Sequence, residues 1–186
     1  KIYAAKGRPS DNPLILHIAD MEQFYPLIKT DNEKIIARAE ALADVFWPGP
    51  LTMILPKADN IPYETTGGLD TVAIRMPSHL VARALLQECK MPIAAPSANL
   101  SGRPSPTSAS HVIEDMNGRI EMIIDGGDVG IGVESTIIDL TGEVPMLLRP
   151  GFVTPEMLQK VLGAVVTSTS CASSAAVRWR CCGARS

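Results

Sequence analysis

The stretch "TVAIRMPSHLVARALLQECKMPIAAP", residues 71–96, holds two apolar runs on either side of a helical pattern. Residues 71–77 are rich in β-branched and apolar side chains, which is typical of a buried strand. Residues 78–90 place apolar side chains at helical spacing behind Ser78, a residue type favoured at helix N-termini. Residues 91–96 form a second short apolar run. A strand, a helix and a strand in this order predict an α/β fold.

The same alternation extends outward from this unit in both directions. Strands are predicted at 13–18, at 51–56, within 121–127 and on both sides of the Thr141-Gly142 turn, and helices at the chain start and over 31–46, 107–116 and 154–163. We expect Thr30 or Asp31 to cap the second helix and Thr154 to cap the last. Because βα units are mixed with a hairpin, the predicted fold class is α/β (α+β), with a twisted mixed β-sheet flanked by helices.

Composition places the chain among ordinary globular proteins. It has 186 residues, of which 46% are hydrophobic and 20% are charged, enough to build one domain with a core. The apolar runs are too short to span a bilayer. The four cysteines show neither CxxC nor Cys/His ligand spacing, so we predict no metal site, no disulfide framework and a cytoplasmic location.

The C-terminal segment differs in character from the rest of the chain. We predict one domain over 1–163 and a disordered or foreign tail over 164–186, because the tail has no apolar periodicity. The chain carries a net charge of −3, and three arginines in the tail leave −6 for residues 1–166. An acidic body argues against broad non-specific nucleic-acid binding, which requires many cations.

Several cations and one histidine occupy positions that favour a bound anion. Lys6 and Arg8 lie two residues apart, so an extended backbone would aim both at one anion, although solvated surface charge is the common outcome. Arg75 and Arg149 each lie in an apolar strand, where a cation is costly unless it is paired or ligand-bound. A structural ion pair explains either arginine equally well. His17 also lies on an apolar strand, where a hydrogen-bonded core histidine is the simpler interpretation.

The loop "AAPSANLSGRPSPTSA", residues 94–109, concentrates hydroxyl and amide groups between two packed elements. Ser97 and Asn99 offer hydrogen-bond donors, and Ser105 is expected near the start of the next helix, where free N–H groups favour phosphate or carboxylate. Turn and capping chemistry explains much of the same pattern. The glycine-rich segment 125–132 matches no dinucleotide-binding pattern and is predicted to be a tight turn.

Five strings occur in an order that identifies a family resemblance. They are "KGRPSDNPL" with His17 downstream, "TVAIRMP", "APSANLSGRPSPT", "VESTIID" and "LLRPG", and they extend over about residues 1–163. Together they resemble the YrdC-like threonylcarbamoyl-AMP synthase family. The resemblance implies that L-threonine, bicarbonate and ATP, with Mg²⁺, give threonylcarbamoyl-AMP and pyrophosphate. This product is the precursor of the t6A modification of tRNA, and the proteins that transfer it to tRNA act downstream.

The resemblance also implies roles for individual residues. The catalytic residues would be Lys6 and Arg8. The ATP-binding residues would be Arg8, Asn12, Thr71, Ser97, Asn99, Ser105 and Arg149, and the threonine-binding residues would be His17, Arg75, Ala95 and Ser135.

Two departures from the family pattern leave other interpretations open. The family begins earlier, with a strand and a Pro-Thr-Glu-Thr turn that supplies a threonine-binding hydroxyl, so we expect an N-terminal segment to be missing here. The long branch of the family continues into a second domain, where this sequence has an unmatched tail. The alternatives are an RNA-binding module of the same fold, which would contact RNA, and an inactive truncated chain.

Overall fold

A single mixed sheet organises the chain in the computed structural model, which describes residues 1–130, 132 and 134–167. Seven strands lie in the order β4-β1-β3-β2-β5-β6-β7. They are β1 (Ile15–His17), β2 (Leu51–Pro56), β3 (Thr71–Arg75), β4 (Ile93–Ala95), β5 (Thr136–Asp139), β6 (Met146–Arg149) and β7 (Val166–Thr167). The pairs β1·β3, β2·β5 and β6·β7 are parallel, and β1·β4, β2·β3 and β5·β6 are antiparallel. The predicted mixed sheet is confirmed.

The helices connect and cover these strands. They are α1 (Ile2–Lys6), α2 (Glu33–Phe46), α3 (Tyr63–Thr66), α4 (Leu80–Cys89), α5 (Ala109–Met116) and α6 (Pro155–Leu162), with a 3₁₀ turn at Tyr25–Leu27. Thr154 caps α6 as predicted, accepting a hydrogen bond from the Met157 N–H. The cap of α2 is Asn32 rather than Thr30 or Asp31. No helix among the described residues is long and apolar enough to span a membrane.

The two faces of the sheet are packed differently. The main hydrophobic core joins α2 and α6 to one face, with Leu42, Met53 and Leu158 all fully buried. The opposite face carries a smaller cluster of buried residues, made of Ile54, Ala73, Ile137 and Leu148. This thinner covering leaves space on the second face, and the candidate site lies there.

A β-bulge between β5 and β6 turns Arg149 toward the second face. Ile137 pairs with Arg149 and Ile138 pairs with Leu147, so Leu148 is the extra residue. Strict alternation would place Arg149 on the same side as Leu147, in the main core. The bulge instead sets Arg149 opposite Ile137 and on its side of the sheet, as bulges beside functional sites often do.

Three predictions about local structure are wrong. Segment 121–127 forms no strand, since Met122 and Ile124 are exposed and the His79 ring contacts the Gly126 carbonyl from α4. Ser78 does not cap α4, whose N-cap position is His79. The predicted tail begins too early at 164, because the Val166 N–H donates to the Pro145 carbonyl and β7 extends the sheet. The remainder of the predicted tail lies outside the described residues.

Candidate functional site

A cleft of about 290 Å³ opens on the second face of the sheet. This volume is close to the lower end of the range for small-molecule sites. Its wall combines strand residues with the loop after β4 and the segment before β5. The lining residues are Arg8, Pro13, Ile15, His17, Arg75, Ala95, Pro96, Ser97, Ser105, Pro106, Thr107, Val129, Gly132, Glu134, Ser135, Ile137 and Arg149.

Arg75 places a largely buried cation at the end of β3. Its Nε donates to the Gly49 carbonyl at 3.1 Å, and no described carboxylate lies within ion-pair distance of it. Burial lowers the pKa of Arg75, and the nearby Arg149 lowers it further. A guanidinium remains charged even so, and an unneutralised cation in this position favours an anionic ligand. The alternative of a structural ion pair therefore fails for Arg75.

Arg149 is held by the segment that precedes β5. Its Nη1 lies 2.7 Å from Glu134 Oε2, and its Nε and Nη2 donate to the Ser135 carbonyl at 3.0 and 2.9 Å. The Ser135 hydroxyl lies 2.9 Å from that of Thr52. A Cβ at Gly151 would collide with the Glu134 carbonyl, so a residue without a side chain is required for this close approach. Arg149 thus has a structural ion pair on the cleft wall.

His17 is an uncharged group in the same wall. It lies beside Arg75 in the paired strands β1 and β3. Its buried Nδ1 has no hydrogen-bond partner among the described residues. Burial, together with the nearby charge of Arg75, lowers the pKa of His17 to about 4. His17 is therefore neutral near pH 7, and it lines the cleft.

We expect His17 to make the stability of the protein depend on pH. The unfolded chain binds a proton near pH 6.5, whereas the folded protein resists it until about pH 4. The contribution of neutral His17 to the free energy of unfolding is therefore fully present above pH 6.5. It is lost as the pH falls toward 4, which lowers the stability by up to about 3 kcal/mol. Urea unfolding of wild type and His17→Gln across this interval measures the difference. A stability gap between the two that does not change with pH would contradict the assignment.

The loop after β4 is a hydrogen-bonded structure rather than a linker. Asn99 is buried, and its Nδ2 donates to the carbonyls of Leu100 and Arg103 at 3.0 and 2.6 Å. The Leu100 N–H donates to Asp115 Oδ2 on α5 at 2.9 Å. Arg103 also pairs with Asp115, at 2.5 Å. These contacts fix the backbone on which Ser97 reaches the cleft.

Lys6 anchors this loop from the opposite side. Its buried Nζ donates to the Ser97 carbonyl at 2.5 Å, to the Asn99 carbonyl and, at 3.2 Å, to Asn99 Oδ1. Three acceptors use all three donors of an ammonium group. Burial and the nearby Arg8 lower the pKa of Lys6 to about 8, while Asp115 raises it. Lys6 thus lies behind the loop and is not among the residues that line the cleft, and its catalytic role stays a prediction.

We expect Lys6→Met to lower stability as well as activity. The change leaves the acceptors on Ser97 and Asn99 without a donor, at a cost of about 1–3 kcal/mol. Thermal melting and amide exchange over residues 97–103 measure the effect, and Lys34→Met on the exposed surface of α2 is the control. Unchanged stability together with complete loss of turnover would instead support direct contact with substrate.

Most of the residues predicted from the sequence meet in this cleft. The lining includes Arg8, His17, Arg75, Ala95, Ser97, Ser105, Ser135 and Arg149. It does not include Lys6, Asn12, Thr71 or Asn99. The Asn12 carbonyl accepts from Arg8 Nε, and Thr71 begins β3 at the end opposite Arg75. Ser105 lies four residues before α5 rather than at its start, and its hydroxyl donates to Glu134.

Glu134 and Asp115 are the main residues that sequence reasoning missed. Glu134 precedes Ser135 in the "VESTIID" string. An acidic side chain repels phosphate, so nothing in the sequence indicated that Glu134 belongs to an anion-binding site. Asp115 lies in an amphipathic helix, where an acidic residue usually faces solvent. Its burial appears only when the loop after β4 folds onto α5. Asp125 and Asp139 accept hydrogen bonds from the backbone N–H groups of Gly127 and Thr141.

Comparison with known proteins identifies a close group of relatives. The Sua5/YciO/YrdC family, described as "Telomere recombination", matches residues 1–151. Threonylcarbamoyl-AMP synthase from Pyrococcus abyssi is 58% identical over 165 residues, which are 89% of this chain and 47% of that protein. The Bacillus subtilis protein of the same name is 56% identical over 166 residues, with the same two coverages. The chain therefore spans about half the length of these relatives.

A solved structure gives the same result for the fold. Pyrococcus abyssi Sua5 complexed with L-threonine is 54% identical to this chain and superposes with a TM-score of 0.86. The match covers 94% of this chain and 52% of that one. The mixed sheet described above is therefore the fold of that protein's corresponding half.

Proposed function

Since the chain belongs to the Sua5/YciO/YrdC family, we propose that it carries the catalytic cleft of a threonylcarbamoyl-AMP synthase. The reaction joins L-threonine, bicarbonate and ATP to give threonylcarbamoyl-AMP and pyrophosphate. The observation that carries this proposal is the partly buried Arg75 cation, which has no described carboxylate partner and lies beside a neutral His17 in a cleft with two further arginines. Such a site suits substrates that bring several negative charges.

The threonine end of the cleft comprises Arg75, His17 and Ser135. The guanidinium of Arg75 can donate two parallel hydrogen bonds to the threonine carboxylate. The neutral imidazole of His17 and the Ser135 hydroxyl can form hydrogen bonds with the remaining polar groups of the amino acid. Because the site is partly buried, each of these interactions is stronger than it would be in water.

The nucleotide end comprises Arg8, Arg149 and the hydroxyls of Ser97 and Ser105. In the proposed reaction the threonine amine loses a proton and attacks carbon dioxide derived from bicarbonate, which forms a carbamate. A carbamate oxygen then attacks the α-phosphorus of ATP, and the bond from that phosphorus to the bridging oxygen breaks to release pyrophosphate. Arginines placed at the phosphates stabilise the charge that develops, and the two binding ends bring the reacting atoms together.

Magnesium fits this cleft as an ion that enters with ATP. Among the described residues there is no group of three or more acidic, histidine or cysteine side chains that could hold a metal. Glu134 is the carboxylate on the described cleft wall, and Mg²⁺ is commonly bound by one or two carboxylates together with substrate phosphates. When bound, Mg²⁺ would neutralise phosphate charge. Contact with RNA and with downstream transfer proteins remains a prediction, with no observation in the structure that favours it.

A pyrophosphate-release assay tests the proposed function. We expect release from ATP only when both L-threonine and bicarbonate are present. Reactions that lack one of the two substrates serve as controls. Release that does not depend on threonine, or no release with all three substrates present, would contradict the proposal.

A further inference from the structure

Glu134 is the acidic side chain among the described residues that line the cleft. Its Oε2 lies 2.7 Å from Arg149 Nη1, and its Oε1 accepts a hydrogen bond from the Ser105 hydroxyl at 2.9 Å. Its side chain is 33% exposed, compared with 15% for that of Arg149. One carboxylate on the cleft wall therefore engages two of the groups predicted to bind ATP.

A carboxylate and a phosphate compete for these donors because both present anionic oxygens to a guanidinium. Ser105 has a single hydroxyl proton, so it cannot donate fully to Glu134 and to a phosphate at the same time. Two of the nitrogens of Arg149 are already directed at the Ser135 carbonyl. Its Nη1, which Glu134 now holds, is needed for a strong contact with a polyphosphate.

A displaced Glu134 side chain would stay close to the predicted threonine end of the cleft. The backbone is held at Glu134 and Ser135, since Ser135 is buried and Gly151 packs against the Glu134 carbonyl. The neighbouring Ser135 belongs to the predicted threonine end, and Arg75 lies near enough to Arg149 for their charges to interact. The released carboxylate would then face the substrate that carries an ammonium group.

Resting on the proposed function, we propose that Glu134 couples the binding of the two substrates. Its carboxylate acts as an internal anion that pairs with Arg149 and accepts a hydrogen bond from Ser105. ATP phosphates displace it, and its carboxylate then receives the amino group of the amino acid. This assignment makes Glu134 a specificity-determining residue for a substrate with a free amine.

Two consequences distinguish this role from simple support of Arg149. An internal competitor lowers the apparent affinity for nucleotide, because part of the population has its binding groups occupied. Removing the competitor should therefore tighten nucleotide binding, whereas removing a support should weaken it. Coupling between ligands is also reciprocal, so nucleotide should raise the affinity for threonine by the factor by which threonine raises the affinity for nucleotide.

Calorimetric titration of the full chain with a non-hydrolysable ATP analogue and with L-threonine, singly and together, tests this inference. In wild type we expect the analogue to tighten threonine binding by about fivefold or more. Glu134→Gln and Glu134→Ala should bind the analogue more tightly than wild type when Mg²⁺ is absent, and should lose the coupling. Glu121→Gln, which removes an exposed carboxylate paired with Lys1 outside the cleft, should behave as wild type.

Other outcomes overturn the inference in recognisable ways. Weaker analogue binding in both Glu134 variants, with or without Mg²⁺, would make Glu134 a support of Arg149. A loss seen only with Mg²⁺ would make it a metal ligand, and unchanged coupling would remove it from the threonine end. A wild-type chain that binds neither ligand would contradict the proposed function itself, and this inference with it.

Discussion

Arg75→Met is expected to weaken threonine binding strongly and to make the ligand-free protein more stable. The guanidinium is a partly buried cation without a described carboxylate partner, so replacing it by an apolar side chain removes an unfavourable desolvation of charge. The same change deprives the threonine carboxylate of its charged partner, at a cost of about 2–5 kcal/mol. This cost weakens threonine affinity by at least about 30-fold. Thermal melting without ligand and calorimetric titration with threonine measure the two effects.

Arg38→Met is the matched control for this experiment. Arg38 also donates to backbone carbonyls, those of Gly142 and Glu143, but it lies outside the cleft. It should leave threonine binding unchanged. If Arg75→Met melts at a lower temperature than wild type and binds threonine with wild-type affinity, Arg75 has a structural role and does not bind threonine.

Arg149→Ala is expected to damage ATP binding more than stability. Its guanidinium would donate charge-assisted hydrogen bonds to phosphate, and losing them costs about 1.5–3 kcal/mol, or roughly 10- to 150-fold in affinity. The change also leaves the Ser135 carbonyl without its donor, but Glu134 is partly exposed and can be solvated. We therefore expect a loss of only about 1 kcal/mol in stability.

Melting of the ligand-free variant and titration with ATP separate these contributions. Arg38→Ala is again the control, because it removes an arginine that does not line the cleft. A large fall in the melting temperature of Arg149→Ala with unchanged ATP affinity would show that its pairing with Glu134 is structural alone.

Strands β1 to β6 were predictable because their apolar side chains are nearly continuous, whereas β7 lies in the segment predicted to be a tail. Residues 51–56 were predicted as a strand, and β2 has these bounds. Segment 121–127 has a similar apolar run and was wrongly predicted to contain a strand, because the local sequence does not reveal whether a neighbouring strand will pair with it. Met122 is 74% exposed there. The local sequence therefore identifies apolar segments that can form strands, whereas the pairing of those segments in a sheet depends on the rest of the chain.

The cations of the candidate site could be predicted from the sequence, but their ion-pair and hydrogen-bond partners could not. Arg75 and Arg149 both lie in apolar strands, so the sequence does not distinguish their roles. In the structure Arg149 has a carboxylate partner, whereas Arg75 has none among the described residues. Arg149 pairs with Glu134 because a bulge turns it across the sheet, and period-two alternation cannot foresee a bulge. Lys6 differs from expectation for a related reason. Its short helix places the ammonium under the loop after β4, whose fold depends on contacts with Asp115 on a distant helix.

Incorporation of labelled bicarbonate tests the central claim most directly. The protein is incubated with ATP, L-threonine and ¹³C-bicarbonate, and the nucleotide products are analysed by mass spectrometry. The account predicts an adenylate that contains both threonine and the labelled carbon, formed together with pyrophosphate. Pyrophosphate release without such an adenylate, or an adenylate that lacks the labelled carbon, would contradict it.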